Sequence, residues 1–185
     1  MSSLSKSVLV CGGAGYIGSH VAKALAIEGY IPVTYDNLCT GHQWAVRWGP
    51  LVEGDIADEE RLGETLRTFQ PAAVILLAGF AYVGESMRHP ERYFDNNVRK
   101  SLVLLDVVRR HGIPGLIFSS TCATYGMPER LPVTEQTPQR PINPYGETKL
   151  FIERALHWYR EAHGMRSVAL RYFNAAGADP DAEIG

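Results

Sequence analysis

Short apolar runs alternate along the chain with stretches in which apolar residues recur every three or four positions. The runs Ser7–Cys11, Ile31–Tyr35, Pro50–Glu53, Ala73–Leu77, Leu116–Ser119 and Ser167–Arg171 have the length and composition of strands. Helical periodicity fills Tyr16–Glu28, Asp58–Phe69, Arg92–His111 and Pro144–His163; in the first of these Ile17, Val21 and Leu25 share a face and Gly29 is placed to end it. Strands joined through helices predict a parallel sheet, because parallel pairing needs a long crossover, and right-handed crossovers cover both faces. The expected fold class is therefore α/β, a doubly wound parallel sheet whose ligands bind beyond the carboxyl ends of the strands. Two helices carry more apolar surface than one sheet contact needs. Within Pro144–His163, Ile152, Leu156 and Tyr159 form one stripe and Phe151, Ala155 and Trp158 another, while Arg92–His111 sets Phe94, Val98, Leu102 and Leu105 beside Leu104 and Val108.

The totals narrow the class of ligand. A chain of 185 residues, 45% apolar and 21% charged, is the profile of one globular domain. A formal charge of −2 gives no basic excess, so neither nucleic acid nor a membrane surface is an expected partner and a small molecule is favoured. The three cysteines, Cys11, Cys39 and Cys122, are odd in number and lack C-x-x-C spacing. That argues against a disulfide framework and a zinc site, and suits a reducing cytoplasm; no metal is expected. Val8–Cys11 is far too short for a signal sequence, and no apolar run reaches the length of a membrane span.

The first strand runs into VLVCGGAGYIGSH, Val8 to His20, which contains both Gly13-x-Gly15-x-x-Gly18 and, from Gly12, G-x-x-G-x-x-G. Between a strand and a helix such glycines serve a tight turn, a close backbone approach to a pyrophosphate, and close helix–strand packing. Phosphate can then rest on N–H groups at the helix N-terminus. This makes the fold Rossmann-type. Asp36 ends the second strand eighteen residues beyond Gly18, where a carboxylate would accept hydrogen bonds from an adenosine ribose diol. A 2′-phosphate there would meet like charge and no Arg immediately follows, so NAD is favoured over NADP. Gly54-Asp55-Ile56, after the third strand, could hold the adenine.

Asn143-Pro144-Tyr145-Gly146-Glu147-Thr148-Lys149 opens the last long helix with an N-cap asparagine and a first-position proline. Tyr145 and Lys149, four residues apart, share one face. A phenol becomes a useful base near neutrality only when a cation stabilises its phenolate, and Lys149 is such a cation. The fifth strand runs into Phe118-Ser119-Ser120-Thr121-Cys122-Ala123-Thr124-Tyr125-Gly126, which delivers small hydroxyls to the same edge. Thr121 is the candidate to share a hydrogen bond with the reacting oxygen; its alternative role is to cap the turn after the strand.

Taken together, Gly12–Gly18, Asp36-Asn37-Leu38, Gly84-Glu85-Ser86, Asn96-Asn97-Val98, Phe118–Gly126, Pro144–Lys149 and Leu170-Arg171-Tyr172-Phe173-Asn174 resemble the extended short-chain dehydrogenase/reductases, specifically UDP-glucose 4-epimerase-type sugar-nucleotide epimerases. The resemblance implies a tightly held NAD, Tyr145 as base, Lys149 holding the nicotinamide ribose and lowering the tyrosine pKa, and Thr121 in a place usually held by serine. It implies cofactor contacts from Gly12, Gly15, Tyr16, Ile17 and Gly18, from Asp36, Asn37, Asp55 and Ile56, and from Leu77, Ala78, Gly79, Asn96 and Tyr172. Thr121, Tyr145 and Asn174 would contact a UDP-sugar, Asn174 near its phosphates, and the two long helices would pair in a homodimer. Leu76-Leu77-Ala78-Gly79 departs from a His-Phe-Ala-Gly run common in the family, Ala81 replaces a lysine that holds cofactor in some members, and Cys11 stands where threonine is frequent.

The implied reaction inverts C4 through a 4-keto intermediate. The Phe80–Ser86 stretch is also similar to that of UDP-arabinose 4-epimerases, so hexose and pentose substrates both stay open. A 4,6-dehydratase is the alternative enzyme, although Cys122-Ala123 after Thr121 lacks the carboxylic acid that elimination needs. A non-catalytic NAD-binding module is the alternative from another class. Members of the family continue past the Leu170–Asn174 motif into a smaller substrate domain. Residues 1–185 are therefore expected to form the NAD-binding domain, with that second domain largely absent and little or no epimerisation by the chain alone.

Overall fold

A computed structural model describes residues 7–184. Six strands, β1 (Ser7–Cys11), β2 (Ile31–Asp36), β3 (Leu51–Glu53), β4 (Ala73–Leu76), β5 (Leu116–Thr121) and β6 (Ser167–Tyr172), form one parallel sheet in the order β3-β2-β1-β4-β5-β6. The helices are α1 (Tyr16–Ile27), α2 (Glu59–Phe69), α3 (Val83–Arg88), α4 (Pro90–Tyr93), α5 (Lys100–Arg110) and α6 (Pro144–His163). The order reverses between β1 and β4, and that reversal opens a crevice at their carboxyl ends.

The two faces of the sheet are packed differently. Leu9, Val33, Val74, Leu76, Leu116 and Phe118 point to one face, where Leu62 and Leu66 of α2, Leu104, Leu105 and Val108 of α5, and Ile152 and Leu156 of α6 bury them. Val8, Val10 and Ile75 point to the other and are covered by Val21 and Leu25 of α1. On that second face Val168 and Leu170 of β6 stay 55% and 39% exposed, because α1 lies over β1 and β2. Helices therefore cover both faces, but the second only in part.

The periodicity predicts α6 to the residue and every other long element to within one or two, apart from the middle helix. The expected Arg92–His111 helix begins at Pro90, and α4 and α5 are joined by a π-helical turn, Phe94–Arg99. The extra residue of that turn accompanies a buried Asn97, whose carboxamide donates to the carbonyl of Phe80 at 2.9 Å and accepts from its N–H at 2.8 Å. Helix α3 was not expected; its apolar positions are too few for a periodic signal. β5 runs two residues further than its apolar run, to Thr121, because Ser119, Ser120 and Thr121 remain paired with β6.

The glycine turn ties β1, α1 and β4 together. Gly12 has φ +85°, and a Cβ there would lie 2.5 Å from the backbone N of Ala78; a Cβ on Gly18 would lie 2.2 Å from the carbonyl O of Gly12. Gly29, at φ +79°, has open space around its Cβ position. Gly12→Ala is expected to destabilise the chain by about 3 kcal/mol or more, from backbone strain plus collision, and Gly29→Ala by about 1 kcal/mol from strain alone. Urea unfolding of the two variants checks this; equal losses would mean that β1 and β4 are not held this closely at the turn.

Candidate active site

The N-terminus of α1 stands at the crevice. Its N-cap is Gly15, which has no side chain to bond the first-turn N–H groups, so Tyr16 and Ile17 begin the helix without a side-chain cap. The Tyr16 side chain itself turns away: it is 43% exposed and its hydroxyl donates to the carbonyl of Gly177 at 2.6 Å. Beyond β6 the chain crosses α1 in this way and is held by Lys23, whose Nζ lies 2.8, 2.6 and 2.9 Å from carboxylate oxygens of Asp179, Asp181 and Glu183.

At the β2 end, Asp36 is pinned by backbone. Its Oδ2 accepts from Ala14 N at 3.0 Å and its Oδ1 from Leu38 N at 2.9 Å, which sets the carboxylate against the glycine turn. Asn37 donates to Asp55 at 3.0 Å, and Lys100 of α5 reaches the same Asp55 oxygen at 2.6 Å. Burial alone would raise the Asp55 pKa, but the Lys100 ammonium, the Ala57 N–H and Asn37 together hold it below the usual carboxylate range. Ile56 beside it is buried. Lys100 escaped the sequence reading because it is forty-five residues from its partner.

The opposite wall follows β4. Leu77 and Ala78 both donate to the carbonyl of Cys11 at 2.9 Å, which holds this loop against the glycine turn. Gly79 leaves space that a Cβ would narrow to 3.3 Å from both Asn97 Oδ1 and Lys149 Nζ. Of the two adjacent asparagines, Asn97 is the buried brace, and the expected contact residue Asn96 is half-buried and donates to Asn97 Oδ1 at 3.1 Å. Asn97 also donates to Thr148 Oγ1 at 3.3 Å, which ties this wall to α6.

Helix α6 supplies the chemical groups. Asn143 caps it by accepting from Gly146 N at 2.8 Å, and Pro144 occupies its first turn. Gly146 allows the helix to approach the turn after β5, since a Cβ there would sit 2.7 Å from the carbonyl O of Ala123. The Lys149 ammonium is buried and donates to the carbonyl of Ser119 at 2.8 Å; it lies 5.0 Å from the centre of the Phe118 ring and 6.0 Å from that of Tyr145. Burial without a counter-charge lowers its pKa from the ordinary 10.5 to about 8. Tyr145 is raised by burial, and a hydrogen bond with the Thr121 side chain works the other way. The Thr121 bond only offsets part of the rise that burial imposes on the phenol.

Thr121 takes the capping role and also stands beside the phenol. Its hydroxyl accepts from Ala123 N at 3.1 Å, which caps the short 3-10 turn Cys122–Tyr125, while the same side chain faces Tyr145. Tyr172 is its in-register neighbour on β6 and is half-buried. Asn174 is exposed, two residues past β6, and is not brought to Tyr145 by any described contact. Ser86 was missed as a supporting residue. Fully buried at the second turn of α3, it accepts from Tyr145 N at 3.3 Å, and only the fold of α3 could reveal that.

The folded chain binds a proton at Lys149 less tightly than the unfolded chain does, so stability rises with pH between about 8 and 10.5. Lys149→Met keeps the length of the side chain and removes the buried charge. The variant is expected to be more stable at neutral pH by about 2 kcal/mol and to lose that rise with pH. Denaturant titrations across this range check both points; a variant no more stable than the parent would place the ammonium in water.

Residues 8–184 match the model of the NAD dependent epimerase/dehydratase family. The UDP-glucose 4-epimerase of Rhizobium meliloti (strain 1021) is 51% identical over 181 residues, which is 98% of this chain and 55% of that relative. The putative UDP-arabinose 4-epimerase 2 of Arabidopsis thaliana is 42% identical over 96% of this chain and 45% of its own length. The crystal structure of UDP-glucose 4-epimerase from Brucella ovis in complex with NAD superposes with a TM-score of 0.96 at 59% identity, covering 97% of this chain and 55% of that one. The chain thus spans about half the length of the curated relatives it matches. Together with the glycine turn, Asp36 and the Tyr145–Lys149 helix, these matches show that the chain belongs to the NAD-dependent epimerase/dehydratase family.

Proposed function

We propose that this chain binds NAD in the crevice and carries the proton-transfer residues of a UDP-sugar 4-epimerase. The observation that carries the reading is the shared face of α6, where Tyr145 meets Thr121 and Lys149 lies buried beside the β4 wall. The residues fit a dinucleotide. Gly12 and Gly18 fold the turn tightly onto its own backbone, and Gly15, where a Cβ would come no closer than 3.5 Å to Gly12 O, leaves the N-terminus of α1, from Gly15 to Ile17, accessible to a pyrophosphate. Asp36 presents two carboxylate oxygens to a ribose diol and repels a 2′-phosphate, with Asn37, Asp55 and Ile56 beside the adenine. Leu77, Ala78, Gly79, Asn96 and Tyr172 border the nicotinamide end, where Lys149 would hold the second ribose.

Bound NAD supplies a hydride acceptor, and later donor, for the sugar's C4, and a positive ring that favours the phenolate. Tyr145 takes the proton of the 4-hydroxyl, and the Thr121 hydroxyl stabilises the oxygen that loses it. After the 4-keto sugar turns in the site, Tyr145 returns the proton on the opposite configuration. Cys122 and Ala123, which follow Thr121, offer no carboxylic acid, and this supports an epimerase over a dehydratase. Asn174 is assigned to the UDP phosphates. UDP-glucose is the favoured substrate, in keeping with the names of the relatives. Cytoplasmic location agrees with three unpaired cysteines and with the lack of a membrane-spanning helix among the described residues.

The test has two stages. Calorimetry is expected to find NAD binding to the chain at least about tenfold tighter than NADP, and equal affinities would remove the role of Asp36. Fused to the second half of the Rhizobium meliloti relative, the chain is expected to interconvert UDP-glucose and UDP-galactose. Tyr145→Phe in that fusion should slow turnover by about a hundredfold or more. A fully active Phe variant would exclude Tyr145 as the base.

A homodimer belongs to the same proposal. Phe151 and Trp158 of α6 are 49% and 66% exposed and Phe94 is 45% exposed, whereas Ile152 and Leu156 on the other stripe are buried. An apolar stripe left facing water on two adjacent helices is what helix pairing between two copies would cover. Sedimentation equilibrium at micromolar concentration is expected to give a dimer, and Trp158→Glu a monomer; a monomeric parent would end this part of the reading.

A further inference from the structure

Residues 145, 149 and 153 recur at the spacing of one α6 face, and each meets a different residue at the end of β5. Tyr145 meets the Thr121 hydroxyl, Lys149 donates to the Ser119 carbonyl at 2.8 Å, and Glu153 accepts from the Ser120 hydroxyl. Glu153 lies outside both apolar stripes of the helix, so no hydrophobic pattern accounts for it. Its side chain is 9% exposed, which for a carboxylate demands compensation. Arg171 of β6 supplies it, with Nη2 at 2.8 Å from Oε2 and Nε at 3.1 and 3.2 Å from the two oxygens, and Gln139 adds a bond of 3.0 Å. Burial opposes ionisation of Glu153, but Arg171, Ser120 and Gln139 hold its pKa below the ordinary range.

Arg171 extends the connection. Its Nη1 donates to Tyr125 Oη at 2.8 Å and to the carbonyl of Glu135 at 3.2 Å, and its guanidinium lies 5.1 Å from the Tyr125 ring centre. The pair therefore joins β5, β6, the Cys122–Tyr125 turn, the 126–143 segment and α6, the elements that position Thr121, Tyr145 and Lys149. A buried ion pair is a weak source of net stability compared with apolar packing, but its bidentate geometry permits few alternative registers. Glu153 stands two helical turns beyond Tyr145 and one beyond Lys149, so its effect reaches the crevice through the helix.

We propose that Glu153, clamped by Arg171, is a positioning residue that sets the rotation of α6 on β5 and so aims Lys149 and Tyr145 into the crevice. The proposal rests on the reading of Lys149 as a residue that holds NAD. A double-mutant cycle on NAD affinity, measured by calorimetry with the 185-residue chain, tests it. Glu153→Ala and Lys149→Met are each expected to weaken binding by about tenfold. In the double variant the loss should stay within about threefold of the worse single one, because a misplaced Lys149 has little left to lose. Glu153→Ala combined with Asp36→Asn, at the far end of the cofactor, should show losses that multiply. A loss of stability alone would not distinguish Lys149 from Asp36 in this way.

Should Glu153→Ala fail to fold, Glu153→Gln, which keeps the length and an acceptor for Ser120, enters the same cycle with the same expectation. Full multiplication of the Glu153 and Lys149 losses would overturn the positioning role and leave the NAD reading standing. A Lys149→Met chain that binds NAD as well as the parent would overturn that reading and the positioning role with it.

Discussion

An ammonium buried against a backbone carbonyl, with no carboxylate among the described residues to neutralise it, is the constraint around which this crevice is arranged. Lys149 can be charged there only if the surroundings tolerate it, and burial already draws its pKa down to about 8. The carbonyl of Ser119 and the face of Phe118 give partial compensation, since both present negative potential to the cation. A site that holds a cation only partly compensated beside a phenol is suited to a ligand whose oxygens can approach the ammonium. Folding alone gains nothing from leaving it bare.

The two ends of the crevice are built by different means. At the β2 end the Asp36 carboxylate is fixed by two backbone N–H groups, so its position follows from the glycine turn and the strand terminus. At the β5 end the groups are fixed by side chains from distant segments: Asn97 braces the β4 loop, Ser86 meets the backbone of Tyr145, and the Glu153–Arg171 pair joins five segments. The first arrangement is local and compact. The second depends on the docking of α3, α6 and the π turn, and any shift in one is passed to the others through buried polar contacts.

The apolar surface that stays open is consistent with a larger assembly. Val168 and Leu170 on the sheet, and Phe151 and Trp158 on α6, lie on different sides of the molecule, and on α6 the exposed pair contrasts with the buried Ile152 and Leu156. Relatives in the family are about twice as long, as the shared coverage of 55% shows, so the chain corresponds to the part of them that contains the parallel sheet.

Periodicity and turn chemistry were enough to read the parallel sheet, the glycine turn, Asp36 at the end of β2, and Tyr145 with Lys149 on one face of α6. Each of these is encoded within a window of a few residues: a strand's apolar run, a helix cap, an i, i+4 pair. The partners of those groups were not legible. Lys100 on Asp55, Asn97 on Phe80, Ser86 on Tyr145 and Arg171 on Glu153 join residues 45, 17, 59 and 18 positions apart, the last pair across one helix–strand crossover. The protonation preferences followed the same division. A helical spacing can announce that a lysine will stand near a tyrosine, but whether either is charged depends on how much water the packed elements exclude, and that is settled by long-range burial that no local pattern records.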